Sequence, residues 1–130
     1  MFLKKVKDLM TNQVETCSPL DNVYEAAIIM KEKDVGAVPI VDGSQLVGIL
    51  TDRDIVIRGI AEKKPPSSKI EDIMTMEVIT ISDEDSVHTA ARRMAEHQIR
   101  RLPVVRGGKL VGIITLGDLA TEEKTDDQAK

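Results

Sequence analysis

Residues 48–54 read Gly-Ile-Leu-Thr-Asp-Arg-Asp, and a close copy, Gly-Ile-Ile-Thr-Leu-Gly-Asp, follows at residues 112–118. Each copy ends an apolar run and opens a segment with helical patterning, so each places a threonine and an aspartate, three positions apart, where a strand meets a helix. The first N–H groups of a helix lack partners within the helix, and the helix dipole favours negative charge there. Such a junction suits a phosphate or the hydroxyl groups of a nucleotide.

Two interpretations of this junction are open. Thr51 with Asp54, and Thr115 with Asp118, fit the capping-box pattern, in which both side chains only satisfy the first turn of a helix. The same side chains could instead hold a ligand, because an ionised carboxylate accepts two hydroxyl donors at once. For one copy alone the spacing favours the cap, and it is the repetition around the junction that strengthens the ligand-binding interpretation.

The repetition extends far beyond the junction. When the sequence is shifted by 64 positions, residues 6–55 align without a gap with residues 70–119, and 21 of the 50 pairs are identical. This match indicates two copies of one structural unit, related by a pseudo-twofold axis. We therefore assign residues 1–62 to the first repeat with its N-terminal leading segment, 63–69 to a proline-containing linker, 70–120 to the second repeat and 121–130 to a polar tail.

Each repeat predicts the same order of elements, β-α-β-β-α, and therefore an α+β fold. Short strands are expected around residues 14–17 and 78–81, each followed by a helix with apolar residues at i, i+3, i+4 and i+7. Two apolar strands then flank hairpin turns that contain Asp-Gly or Gly-Gly. Pro39 and Pro103 lie inside the first strand of each hairpin. Since proline donates no hydrogen bond, we expect both at a sheet edge, with a free carbonyl that could line a ligand cleft.

Composition argues against several classes of function. The net charge of −4 disfavours binding to a phosphate backbone, and one tyrosine and one phenylalanine give no stacking surface for nucleic acid. The single cysteine, Cys17, excludes an internal disulfide and a cysteine-cluster metal site. No apolar stretch is long enough to cross a membrane, and the N-terminus lacks the pattern of a signal peptide, so we expect a cytoplasmic protein.

The repeated pattern resembles the CBS domain, and two copies in tandem resemble a CBS-domain pair, or Bateman module. The resemblance covers residues 6–119 and rests on Asp-Leu-Met-Thr at 8–11, Val-Pro-Ile-Val at 38–41, the junction at 48–54 and their copies in the second repeat. It implies two packed β-α-β-β-α units with two clefts between their sheets. In the family such clefts bind adenine nucleotides (AMP, ADP or ATP) or adenosyl compounds such as S-adenosylmethionine, and no other cofactor is implied.

The resemblance also implies roles for single residues. Asp54 and Asp118 accept hydrogen bonds from the ribose hydroxyls, and Thr51 and Thr115 donate to ribose or phosphate. Backbone near Thr16 and Val38 in the first repeat, and near Thr80 and Leu102 in the second, frames the adenine. The strand prolines Pro39 and Pro103 complete the set of ligand-binding positions.

The two repeats differ where the family carries a basic pair. Arg100 and Arg101 match that pair, which reaches phosphates, and the guanidinium fork suits this contact. The first repeat has Gly36 and Ala37 instead, so we predict unequal clefts, the one that receives the arginines being the better phosphate site. The sequence does not tell which aspartate shares it. Arg53, inside the first junction, is a weaker candidate for a phosphate contact, because it could also pair with a neighbouring carboxylate or face a partner chain.

A catalytic function has little support in the sequence. His88 and His97 lie nine positions apart on one predicted helix, on roughly opposite faces, and no nucleophile or metal motif is present. We therefore expect a protein that is not an enzyme. The resemblance to CBS-domain pairs implies a regulatory module that binds an adenosine-containing small molecule, forms a homodimer and acts on an unidentified protein. The alternative is a ligand-free dimerisation or adaptor module, for which apolar residues of the second helix such as Ile57 and Ile60 could serve. A small hydrolase or transferase is the least favoured hypothesis.

Overall fold

The computed structural model describes residues 4–121 of the 130-residue chain. These residues form two compact units: the first unit is Glu15–Val78, and the second unit combines residues 4–14 with residues 79–121. The units do not coincide with the sequence repeats, because each leading segment (residues 4–14 and 70–78) belongs to the unit built on the other repeat. The polar tail predicted at 121–130 lies outside the described residues except for Thr121.

The elements follow the predicted order closely. The helices are α1 (Val6–Leu9), α2 (Val23–Lys33), α3 (Asp52–Asp54, continued by a π-helical turn Ile55–Gly59 and a 3₁₀ turn Ile60–Glu62), α4 (Val87–His97) and α5 (116–121). A further 3₁₀ turn covers Ile70–Asp72. The strands are β1 (Ala37–Asp42), β2 (Gln45–Thr51), β3 (Ile81–Ser82), β4 (Arg101–Arg106) and β5 (Lys109–Thr115).

Helix α2 of the first unit begins where its unpaired N–H groups find external acceptors. The Asn22 N–H donates to the Glu25 carboxylate at 3.2 Å. The linker supplies two more acceptors, since the Val23 N–H donates to the Ser68 carbonyl at 2.9 Å and the Tyr24 N–H to the Pro66 carbonyl at 3.1 Å. The linker therefore caps α2 in addition to connecting the repeats.

Strands β1 and β2 form the predicted hairpin, with Pro39 opposite Ile49. The Pro39 carbonyl accepts a hydrogen bond from the Cys17 N–H at 3.2 Å, on the side of β1 away from β2. The proline nitrogen, which has no hydrogen to donate, faces the same side, so the β1–β2 ladder loses no hydrogen bond. The expectation of a free carbonyl at Pro39 is therefore wrong. The strand expected at residues 14–17 is also wrong in extent, because only Cys17 forms a bridge, parallel to Ile40.

The second unit repeats this arrangement with a longer first strand. Strand β3 pairs in parallel with β4, and β4 pairs antiparallel with β5. Helix α4 is capped by Ser86, whose hydroxyl accepts from the Thr89 N–H at 3.1 Å. The β4–β5 turn uses Gly107 and Gly108, both at positive φ, as a two-residue hairpin turn of this kind requires.

Each unit has its own hydrophobic core, to which the leading segment contributes. In the first unit, Ile70 and Ile73 are fully buried beside residues of α2, β1 and β2. In the second unit, Val6 is fully buried beside residues of β3, α4, β4 and β5. The two strand–helix junctions, at the ends of β2 and β5, are therefore held between a packed hairpin and a leading segment.

Candidate functional site

The first junction lies where β2 ends at Thr51 and α3 begins. The Thr51 hydroxyl oxygen accepts from the Asp54 N–H at 3.0 Å, and Asp54 Oδ2 accepts from the Thr51 N–H at 3.0 Å. The second junction has the same pair of bonds, from the Asp118 N–H to Thr115 Oγ1 at 3.1 Å and from the Thr115 N–H to Asp118 Oδ2 at 2.8 Å. Both capping boxes are thus formed.

Capping leaves room for a ligand at these side chains. A carboxylate has two oxygens with about four acceptor positions, and the cap uses one of them. A threonine hydroxyl that accepts a bond keeps its own proton to donate. The cap and the ligand site are therefore compatible, and the spacing that produces the cap also orients the carboxylate.

The two carboxylates differ in burial and in further partners. Asp54 is only 7% exposed, and the Thr75 hydroxyl lies 3.1 Å from each of its oxygens. Asp118 is half-buried, and in the part of the chain that the structure describes it accepts only the bond from Thr115. The second junction therefore offers the more available carboxylate.

The arginine pair lies beside the second junction. Arg101 is the ladder partner of Thr115, and the Arg100 carbonyl accepts from the Leu116 N–H at 2.7 Å. Directly opposed residues project to the same face of a sheet, so the Arg101 and Thr115 side chains share a face. Within residues 4–121, neither guanidinium has a hydrogen-bond or ion-pair partner. The register thus places the backbone of both arginines next to the junction of Asp118.

At the first junction the neighbouring side chain is the acidic Asp52, whereas the second junction has the basic pair Arg100 and Arg101. The Asp52 carboxylate packs against Gly36, since a Cβ on Gly36 would lie 3.1 Å from Asp52 Oδ2. Arg53 is exposed and its N–H donates to Asp52 Oδ1 at 2.8 Å, while its guanidinium has no partner among the described residues. One arginine beside an extra carboxylate makes this junction less favourable for a phosphate than the second one.

The residues expected to frame the adenine are mostly buried. Val38, Pro39, Leu102 and Pro103 are buried within β1 and β4. Thr16 and Thr80 are half-buried, at the segments that lead into Cys17 and β3.

Four contributors to this region were missed in the sequence. The Thr80 carbonyl accepts from Arg93 Nη1 at 2.8 Å, so this carbonyl is already satisfied by the protein. Sequence reasoning missed these residues because each contacts a residue that is far away in the sequence. They are Arg93, Thr75, Asp52 and Arg58. The identity of Thr11 and Thr75 in the repeat alignment was the one available signal.

Two observations on the described residues concern metal binding and the cysteine thiol. Among residues 4–121 no group of three or more histidine, cysteine or acidic side chains is placed to hold a metal ion. Burial raises the pKa of the Cys17 thiol to about 11, which keeps it protonated at neutral pH. None of the described helices has the length and apolar character needed to cross a membrane.

Comparison with known proteins agrees with the fold. Residues 6–59 and 70–124 each match the CBS domain. The uncharacterized protein YlbB of Bacillus subtilis is 53% identical over 129 residues, which is 98% of this chain and 87% of that protein.

Two solved structures with bound ligands are also similar. CBSX2, in complex with AMP, has a TM-score of 0.83 at 30% identity, covering 95% of this chain and 98% of that one. The CBS domain pair of MJ0100, in complex with 5′-methylthioadenosine and S-adenosyl-L-methionine, has a TM-score of 0.81 at 32% identity, with coverage of 95% and 98%. The repeated strand–helix junctions, the two compact units and these matches show that the chain belongs to the CBS-domain family and carries two tandem CBS domains.

Proposed function

We propose that this protein is a regulatory module that binds an adenosine-containing small molecule, an adenine nucleotide or S-adenosylmethionine, with the junction of Thr115 and Asp118 as its principal site. The observation that carries the proposal is the half-buried Asp118 carboxylate, which retains acceptor capacity at a junction whose neighbouring backbone carries Arg100 and Arg101. Neither guanidinium has a partner among residues 4–121. The adenosine ligands in the CBSX2 and MJ0100 structures support the class of ligand.

Each group at this site has a separate task. Asp118 accepts the two ribose hydroxyls, and Thr115 donates its free hydroxyl proton to ribose or phosphate. Arg100 and Arg101 bind phosphate oxygens through charge-assisted hydrogen bonds. The segments around Thr80 and Leu102 flank the adenine. The first junction, with Thr51, Asp54 and Arg53, is the weaker site.

The output of the module is regulatory. A ligand that binds the folded state stabilises it in proportion to the logarithm of its concentration over the dissociation constant. We propose that ligand binding changes how the module interacts with a protein partner. The module acts as a homodimer in the cytoplasm and performs no reaction on the ligand.

A second candidate function, a ligand-free adaptor, is favoured by one observation: Val56, Ile57 and Ile60 are 50–70% exposed along the helical run after α3.

The experiment is a thermal-shift and calorimetric series with AMP, ADP, ATP, S-adenosylmethionine and GMP. At about a hundred times the dissociation constant a ligand adds about 2.7 kcal/mol, which moves the midpoint by several degrees. We expect Asp118→Asn to abolish the shift and Asp54→Asn to leave most of it. The double variant Arg100→Ala/Arg101→Ala is expected to weaken the nucleotides by about tenfold or more and S-adenosylmethionine much less, because the latter has no phosphate.

The matched control is Arg92→Ala, which removes an exposed arginine of α4 that has no partner among the described residues. It is expected to bind all ligands as the natural protein does. Absence of any shift with every adenosine compound would overturn the sensor proposal and leave the adaptor as the better account.

A further inference from the structure

Asp54 already holds a hydroxyl group from its own chain. The Thr75 hydroxyl donates towards both carboxylate oxygens, at 3.1 Å to Oδ1 and 3.1 Å to Oδ2. The Thr51 N–H occupies a further position on Oδ2 at 3.0 Å. A threonine hydroxyl on a carboxylate is chemically the same contact, an O–H donor to a charged acceptor, that a ribose hydroxyl would make there.

The corresponding threonine in the second unit makes no such contact. Thr11, which aligns with Thr75, is exposed, and its hydroxyl has no partner in the described part of the chain. The backbone placement of the two threonines is nevertheless the same. Thr75 exchanges two hydrogen bonds with Ile49, both at 2.9 Å, and Thr11 exchanges two with Ile113, at 2.8 and 3.0 Å. The difference between the units therefore lies in the side chains.

The leading segment that carries Thr75 is held firmly in place. Met74 packs so closely on Gly48 that an added Cβ would lie 2.7 Å from its sulfur atom. Arg58 Nη1 donates to the Met74 carbonyl at 3.2 Å. The packing on Gly48 and the bond from Arg58 thus hold the segment that delivers the hydroxyl.

We propose that Thr75 is an internal competitor for ribose, so that a ligand reaches Asp54 only by displacing the Thr75 hydroxyl. The inference rests on the proposed function and adds that the two junctions fill in order, Asp118 first. A ligand at Asp54 must break a hydrogen bond to a charged group before it forms its own. Its affinity there is therefore lower by about tenfold to hundredfold than at a junction without the competitor.

The first test is titration calorimetry with AMP on the whole chain and two matched variants. The natural protein is expected to bind one AMP per chain with high affinity. Thr75→Val keeps the shape of the side chain but removes the hydroxyl, and it is expected to add a second site or to tighten the weak site by at least about tenfold. Thr11→Val makes the same change at the aligned position and is expected to behave as the natural protein does.

The second test needs no variant and so does not depend on Thr75→Val folding. In the natural protein with labelled threonine methyl groups, the Thr115 resonance is expected to shift at AMP concentrations at least about tenfold below those that move the Thr75 resonance. The inference is overturned if both methyl groups report a common dissociation constant, or if the Thr75 resonance moves at lower AMP concentrations than the Thr115 resonance.

The outcomes separate the two proposals. AMP binding by the natural protein that is unchanged by Thr75→Val overturns the internal competitor and leaves the proposed function intact. Binding only by Thr75→Val supports the competitor but overturns Asp118 as the principal site. No binding by the natural protein or by either variant overturns both.

Discussion

At the scale of single residues, a buried carboxylate depends on one exposed arginine. Asp83 is 1% exposed, and its Oδ2 atom accepts hydrogen bonds from Arg106 Nε at 2.9 Å and from Arg106 Nη2. Its other oxygen, Oδ1, is buried and has no hydrogen-bond partner within residues 4–121. Among the described residues, the Asp83 carboxylate therefore accepts its side-chain hydrogen bonds from Arg106 alone. The same hydrogen bond and the attraction between the two charges raise the pKa of Arg106.

We expect Arg106→Met to destabilise the protein by about 1–3 kcal/mol, because it leaves a buried charge without a donor while it keeps the apolar stem. Urea unfolding at neutral pH measures this loss. Lys109→Met is the control, since Lys109 is the exposed ladder partner of Arg106 and has no partner of its own among the described residues. Equal losses in the two variants would show that Asp83 is satisfied in another way.

Residue contacts divide into those that sequence could predict and those that it could not. The capping boxes at Thr51 and Thr115 follow from a spacing of three and were predictable, because both partners lie in the same turn. The contacts from Thr75 to Asp54 and from Arg106 to Asp83 join positions 21 and 23 apart. They depend on how the leading segment and the hairpin pack, which local spacing does not encode.

At the scale of elements, each leading segment crosses strand β2 or β5 at a glycine. A Cβ on Gly48 would lie 3.0 Å from the Thr75 carbonyl oxygen, and a Cβ on Gly112 would lie 2.8 Å from the Thr11 carbonyl oxygen. Both glycines would also meet a methionine sulfur at 2.7 Å. A side chain here must displace backbone, because the leading segment is bonded to the next residue of the strand.

We expect Gly112→Ala to cost about 1–3 kcal/mol of stability, and Gly48→Ala to cost a similar amount or slightly less, since its backbone contact is longer. Thermal and urea unfolding give these values. Gly117→Ala is the control within helix α5: its Cβ would meet only Thr115 Oγ1, at 3.6 Å, and alanine favours a helix. If Gly112→Ala were as well tolerated as Gly117→Ala, the close approach would not be a constraint.

Helix α1 is fastened to the segment before α4 by charge. Lys5 and Lys7 donate to the Glu84 carboxylate at 2.6 and 2.8 Å. Hydrogen bonds from Lys5 and Lys7 and the positive charges of both lower the pKa of Glu84 from 4.5 to about 2. Because the folded-state pKa is below the unfolded one, the contribution to stability is present above pH 4.5 and is lost as the pH falls towards 2.

We therefore expect Glu84→Gln to flatten the fall in thermal midpoint between pH 4.5 and 2, compared with the natural protein. At pH 7 Glu84→Gln should have the lower midpoint, because it lacks the contribution that the natural protein loses only in acid. The difference should be modest, since these side chains are about half exposed and the pairs are screened. The pH 7 difference should shrink further in about 0.5 M salt. Glu77→Gln, at an exposed position without a partner among the described residues, should retain the natural slope. Parallel slopes for all three proteins would contradict the assignment.

Elements with a strong local signal were predictable, and short ones were not. Helices α2 and α4 follow the apolar spacing, and the two hairpins follow their glycine turns. The strand expected at 14–17 is a single bridge at Cys17, and β3 has only two residues. A strand of this length is decided by what lies beside it, and apolar alternation overstates its extent.

At the scale of the whole molecule, the boundaries of the repeats are not the boundaries of the folded units. The ungapped alignment divides the chain in the linker, whereas the first unit is Glu15–Val78. The cause is the leading segment of the second repeat, whose Ile70 and Ile73 are fully buried in the core of the first unit. Its Thr75 also exchanges two backbone bonds with Ile49. The alignment thus identifies the repeated stretch of sequence, whereas the packing of side chains identifies the compact units.

This difference predicts how two fragments of nearly equal length will behave. A fragment of residues 15–78 contains every residue of the first core, whereas a fragment of residues 1–62 lacks Ile70, Ile73 and Met74 and instead contains Val6, which packs in the second unit. Loss of two fully buried isoleucines removes about 4 kcal/mol or more of burial, which a domain of about 60 residues cannot spare. We expect cooperative urea unfolding, followed by circular dichroism, for 15–78 and none for 1–62. Equal cooperativity in both fragments would mean that the sequence repeat, with its own leading segment, is the folding unit after all.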